Sequence, residues 1–167
     1  MSGVANPKIA LRPYLPADAP LLAAIFRAAV EELTGDDYDE EQQEAWAAAA
    51  DNEDEFAEKL AARLTLIATL EGSPVGFVAL EGKEKIDLLY VHPVAAGQGV
   101  ATALIDAIEK LAGARGAAKL EVFASDTAQP FFEKRGYVPM QRSTVMREGV
   151  WLPNTLMEKK LVGGKAS

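Results

Sequence analysis

Between Leu64 and Val91 the chain carries three apolar runs, Leu64–Leu70, Pro74–Leu80 and Ile86–Val91, separated only by "EGS" and "EGKE". Connections this short join antiparallel strands; a parallel return needs a crossover of a dozen residues or more. The middle of the chain is therefore an antiparallel meander. The stretch that follows, "HPVAAGQGV", leads into an amphipathic helix from about Gly99 to Ala114, and "AKLEVFAS" then reads as a further strand.

The flanking segments complete the order β–α–α–α–β–β–β–α–β–α–β–β. "KIALRPYLP" opens as a strand, with Ile9 and Leu11 on one face, and ends at Pro13 and Pro16. Asp18 is the expected N-cap of a helix whose apolar stripe is Leu21, Leu22, Ile25, Phe26, Ala29 and Leu33. A short helix is expected from Asp39. Another lies in "NEDEFAEKLAAR", with Phe56 and Leu60 facing inward. "TAQPFFEKRG" is a short helix closed by Gly136, and two strands surround the "EG" near the end. This order predicts an α+β fold with a mixed, mostly antiparallel sheet of about seven strands flanked by helices. We expect a single domain, 1–167, with its core at about 9–161 and a flexible tail at 162–167.

Composition removes several classes of function. A net charge of −8 argues against a nucleic-acid partner. No apolar run approaches the roughly 20 residues that span a bilayer. The first residues, "MSGVANPKIALRP", show no basic segment followed by an apolar one, so no signal peptide is expected. The absence of cysteine removes disulfides, thiolate nucleophiles and Cys-ligated metals, and points to the cytoplasm. With one histidine, His92, and no clustered carboxylates, no metal is expected. His92 itself, before Pro93, reads as a structural or surface residue.

The glycine loop is the most chemical part of the sequence. A helix entered through small residues leaves amides unpaired at its positive end, where anions bind. Gly97 and Gly99 keep side chains out of the way. Gln98, Val100, Ala101 and Thr102 supply further amides. On these residues alone the loop is either an anion cradle or a structural turn.

Together, "YVHP", the loop, "ATALIDAIEK", the next strand and "TAQPFFEKRGY" resemble the GNAT superfamily of acetyl-CoA-dependent N-acetyltransferases, over about Ile9 to Leu161. The family loop pattern is [Q/R]-x-x-G-x-[G/A]; here it reads Ala96-Gly97-Gln98-Gly99-Val100-Ala101, with Ala96 departing from it. The resemblance implies acetyl-CoA as acyl donor, with its phosphates on the Ala96–Thr102 loop. It further implies pantetheine along Leu89, Tyr90 and Val91, and a sheet that splays beside that strand. Phe131 and Phe132 would pack against the CoA arm. The reaction implied is direct acyl transfer to an amine, with the developing oxyanion held by a backbone N–H near Val91.

Two departures bear on catalysis. The tyrosine by which many members protonate the leaving thiolate stands here as Phe132, and the family's asparagine as Ser125. Protonation then falls to Ser125 or water, or the chain is a CoA-binding sensor without activity. Asp87 interrupts an apolar strand. By alternation it shares a face with Leu89 and Val91, and it is the candidate base; a solvated or salt-bridged role is the alternative. Tyr137 reads as core. For the acceptor, the resemblance points to the early helices and the last two strands, with Tyr38, Trp46, Arg142 and Trp151 as candidates and Thr144, Arg147 and Asn154 beside them. An arginine there suggests a carboxylate on the substrate. The acids of "GDDYDEEQQEAW" either attract an amine or simply favour a helix N-terminus. The expected partner is a small-molecule amine. A protein N-terminus or lysine is the alternative acceptor, and the exposed final strands suit a homodimer.

Overall fold

The computed structural model describes residues 8–161. The expected tail, 162–167, and the N-terminal segment 1–7 lie outside the described residues. The strands are β1 (Ile9–Pro13), β2 (Leu64–Leu70), β3 (Ser73–Glu81), β4 (Lys85–Val91), β5 (Lys119–Ser125), β6 (Val138–Arg147) and β7 (Val150–Lys160). The helices are α1 (Ala19–Leu33), α2 (Glu40–Ala47), α3 (Glu53–Ala61), α4 (Val100–Ala114) and α5 (Gln129–Lys134). All seven strands form one open sheet in the order β1-β2-β3-β4-β5-β7-β6, antiparallel except at the β4–β5 contact. This is the α+β architecture expected from the sequence.

Local chemistry sets the corners. The "EG" pairs at Glu71–Gly72 and Glu148–Gly149 all have positive φ, the signature of tight hairpin turns that match the twist of the strands they join. Asp39 caps α2 by accepting from the Gln42 amide at 2.8 Å, and Asn52 caps α3 by accepting from the Glu55 amide at 3.1 Å. Asp18 does not cap α1. Its carboxylate accepts two hydrogen bonds from the Arg12 guanidinium, each 2.8 Å, and one from the Leu15 amide. The available ion pair outcompetes the cap, and the arginine holds the Asp18 carboxyl below its ordinary value.

The sheet separates two apolar clusters. On one side α4 buries Val100, Leu104, Ile105 and Ile108 against Val78, Leu80, Ile86, Leu120 and Met157. On the other, α1 and α3 bury Leu22, Phe26, Phe56 and Leu60 against Ile67, Phe77 and Leu88. Each such side chain contributes about 1.5–3 kcal/mol by leaving water. The expected α1 stripe needs correction at its ends. Leu21 and Leu33 are exposed, and Val30 is buried in their place. Leu11 is also exposed, because β1 is an edge strand with only β2 beside it.

The irregularity that matters most is in β4. Ala79 pairs with Leu88 and Leu80 with Ile86, so Asp87 is an extra residue, a β-bulge. Ile86 faces the α4 cluster, as Leu89 and Val91 do, while Leu88 and Tyr90 face the α1 cluster. At the same place β4 leaves β5: their parallel pairing covers only Lys85↔Glu121 and Ile86↔Val122. The sheet therefore splays from Asp87 onward.

Candidate active site

The splay opens a cavity of about 490 Å³ between β4 and β5, roofed by the end of α1 and by α2, and closed at the far side by β6 and β7. The roof is tied down. The Tyr38 hydroxyl donates to the Pro153 carbonyl at 2.6 Å and accepts from the Asp126 amide at 2.9 Å. Thr127 Oγ1 donates to Asp37 at 2.8 Å, and Gln42 Nε2 donates to the Trp151 carbonyl at 3.0 Å. Three aromatic rings line the inner wall. Trp46 packs edge-on against Tyr38 at 5.1 Å, and its indole N–H donates to the Tyr90 hydroxyl at 3.2 Å. Burial pushes the Tyr90 phenol up to about 12 and raises Tyr38 as well, so both stay protonated at neutral pH.

On the α4 side of β4 lies the glycine loop. Gly97 and Gly99 have φ of +78° and +85°, and an added Cβ at either would meet open space. Backbone conformation, not crowding, requires glycine there. Among the described residues, the amides of Gly97 to Thr102 donate to no protein acceptor; the first amide paired in this turn is Ala103, which bonds the Gly99 carbonyl at 3.0 Å. Val100 is buried, so it offers its amide alone. A row of free amides at the positive end of a fifteen-residue helix fits a phosphate group. Beside it, from Asp87 to Val91, one edge of β4 has no neighbouring strand among the described residues and can pair with an extended chain.

Gly76 sets how close these parts come. It pairs with Val91, and a Cβ on it would lie 2.9 Å from Val100 Cγ1 and 3.1 Å from the Tyr90 carbonyl oxygen. Its missing side chain lets the first turn of α4 seat against β3. Sequence reasoning passed over it, although a glycine inside an apolar strand often marks such a close approach.

The other sequence candidates fall into two groups. Asp87, Leu89, Tyr90, Val91, Ser125, Phe132, Tyr38 and Trp46 line the cavity together. Arg142 and Trp151 do not. On β6 the cavity is lined by Ser143, Thr144, Val145 and Arg147, and Arg142 turns to the opposite face, where Asp126 and Thr155 hold its guanidinium. On β7, Leu152, Pro153 and Asn154 line the cavity, and Trp151 turns outward and is 58% exposed. Ala96 joins the turn before the loop, its amide bonded to the Pro93 carbonyl. Phe131 packs edge-on against Phe132 at the rim of the α4 cluster.

The inferred face of Asp87 is also corrected. The bulge interrupts alternation, and the carboxylate turns to Arg63, whose Nε donates to Oδ2 at 2.8 Å. Oδ1 has no hydrogen-bond partner among the described residues. Phe132 is buried in the α4 cluster between Phe131 and Tyr137. Tyr137 is core, with its hydroxyl donating to Glu109 at 2.8 Å. Ser125 Oγ accepts from the Ala128 amide at 3.1 Å, which leaves its own proton available. His92 is structural: Nδ1 accepts from the Val94 amide at 3.1 Å. Asp39 of the acidic loop is spent on capping α2 and Asp37 on bonding Thr127. Among the described residues, no group of three or more His, Cys, Asp or Glu is placed to hold a metal, and no helix is long and apolar enough to cross a membrane.

Comparison with known proteins agrees with this geometry. A family profile described as an acetyltransferase (GNAT) domain matches residues 34–161. The "uncharacterized N-acetyltransferase YafP" of Escherichia coli (strain K12) is 36% identical over 152 residues, covering 91% of this chain and 96% of that protein. A crystal structure from Rhodopseudomonas palustris, described as a GCN5-related N-acetyltransferase (aminotransferase, class-II), superimposes with a TM-score of 0.91. It is 62% identical, over 94% of this chain and 97% of that one. The PaiA N-acetyltransferase of Thermoplasma acidophilum, solved in complex with coenzyme A, shares the fold at a TM-score of 0.77 with 18% identity, over 92% and 99% of the two chains.

Proposed function

The chain belongs to the GNAT superfamily of N-acetyltransferases, and we propose that it moves the acetyl group of acetyl-CoA directly to the amine of a small metabolite or amino-acid-like acceptor in the cytoplasm. The observation that carries the reading is the row of free amides from Gly97 to Thr102 beside the unpaired edge of β4, at the mouth of a roofed cavity. The Thermoplasma protein of the same fold, solved with coenzyme A, supports that donor.

Acetyl-CoA, when bound, supplies the thioester carbonyl that the amine attacks. The loop amides and the α4 dipole hold the phosphates. The free N–H and C=O groups of Asp87–Val91 hold the pantetheine arm as a neighbouring strand would. Tyr38, Trp46 and Tyr90 keep bulk water from the acceptor. Asp87 Oδ1 takes the ammonium proton through a water, with Arg63 fixing the carboxylate from its other oxygen. The Ser125 hydroxyl donates a hydrogen bond to the leaving thiolate and relays to it a proton taken up from water, because Phe132 has none to give. A roof fixed by Tyr38, Thr127 and Gln42 favours a small acceptor over a polypeptide. The free edge of β6, with Met140 and Met146 exposed, suits a second copy of the chain.

Calorimetric titration with acetyl-CoA, followed by measurement of free CoA on adding a panel of amines, tests this reading. Binding followed by release with a small amine is the expected result. Binding without release from any amine leaves the non-catalytic sensor reading, and no binding overturns the assignment of the loop.

A further inference from the structure

Among the described residues, the charged ones that line the cavity are Lys85, Asp87 and Arg147. Two of them have opposite charges beside them. Asp87 is bonded to Arg63, and Lys85 lies 3.5 Å from Glu81. Arg147 forms no ion pair among the described residues; its one recorded hydrogen bond goes from Nη1 to the Met146 carbonyl at 3.1 Å. The acids of the α1–α2 loop do not line the cavity. In a chain of net charge −8, the acceptor cavity therefore carries an uncompensated positive charge.

A second observation lies at the other end of the same wall. Asn154 faces Ser125 across the β5–β7 pairing and Ser143 across the β6–β7 pairing, and its buried Oδ1 has no hydrogen-bond partner among the described residues. A buried acceptor without a donor costs stability, and an N–H brought by a ligand removes that cost. Arg147 lies on the same face of β6 as Ser143, about 13 Å farther along the strand. The wall thus offers an amine acceptor at one end and a guanidinium at the other.

We propose that the acceptor carries an anionic group, a carboxylate or its equivalent, set apart from the amine it presents for acetylation, and that Arg147 reads that group while Asn154 Oδ1 receives an amine N–H. This specifies the acceptor class and rests on the acetyl-transfer reading above. A guanidinium matches a carboxylate with two parallel charge-assisted hydrogen bonds, which lysine cannot reproduce.

The test uses amino carboxylates of increasing length, each paired with its uncharged carboxamide, in a free-CoA assay with the wild type, Arg147→Gln and Arg147→Lys. Melting curves confirm that the variants are folded. The wild type should prefer the carboxylate member of at least one pair. In Arg147→Gln the ratio of kcat/KM between the two members should fall about tenfold, chiefly through KM, as expected for one lost charge-assisted contact. Comparing ratios cancels the different basicities of the two amines. Arg147→Lys should recover only part of the ratio. A wild type that favours the carboxamide at every length overturns the inference and leaves acetyl transfer standing. So does a ratio that survives Arg147→Gln, or turnover confined to peptide N-termini. No CoA release from any amine, with acetyl-CoA still bound, removes the transferase reading and this inference with it.

Discussion

On the α4 side of β4 the groups offered to a ligand belong to the backbone: the amides of Gly97 to Thr102 and the open strand edge from Asp87 to Val91. On the roofed side they belong to side chains: Tyr38, Trp46, Tyr90, Asn154 and Arg147, drawn from the α1–α2 loop, α2 and three strands. The first wall needs only a helix, a turn and a gap in the sheet, so the identity of most residues there is free. The second depends on which side chain occupies each position, and it can change its ligand without disturbing the fold.

The difference can be broken most sharply at Gly99. Gly99→Glu places a carboxylate where the phosphates are expected and forces a non-glycine residue to φ +85°. Acetyl-CoA affinity should fall by about a hundredfold or more by calorimetry, with the melting temperature shifted by only a few degrees. Unchanged affinity would mean that the backbone wall is not the cofactor site. Asp87→Asn acts on the other wall. It should lower kcat by about a hundredfold and alter the pH–rate profile, with acetyl-CoA affinity retained. A profile identical to the wild type would assign the proton to water alone.

Gly76→Val tests how the two walls are coupled. Its side chain would collide with Val100, costing about 1–3 kcal/mol and displacing the first turn of α4. Acetyl-CoA affinity should drop about tenfold, while the relative preference among acceptors stays the same. A changed acceptor preference would show that the walls are not independent. The smallest effect is at alkaline pH. Tyr90 is pushed up to about 12 from 10.0 by burial. Its contribution is complete below pH 10 and is lost as pH rises toward 12. Urea denaturation of Tyr90→Phe between those values should show a shallower loss of stability than the wild type, and equal slopes would refute the burial argument.

Much of the backbone wall was legible from the sequence. Glycines at Gly97 and Gly99 report positive φ, short "EG" breaks report hairpins, and the apolar period reports α4. The bulge at Asp87 was not legible, because nothing in "KIDLLYV" distinguishes an extra residue from a regular one. Strict alternation then assigned Asp87 to the wrong face. Arg142 and Trp151 failed for the same reason. Their residue types suited a substrate site, but the register of β6 and β7 turned them away and turned Arg147 and Asn154 inward. A shift of one residue reverses every side chain on a strand, and the sequence carries no marker of that parity.

By itself, then, the sequence determined the order of elements, the antiparallel meander, the glycine loop and the absence of a hydroxyl at Phe132, because each depends on local conformational preference or on residue identity alone. The tertiary structure decided where β4 parts from β5, that Arg63 engages Asp87, that Gly76 admits Val100, and that Arg147 faces the cavity with no opposing charge paired to it among the described residues. Those are contacts between segments far apart in the chain, and they follow from register and packing.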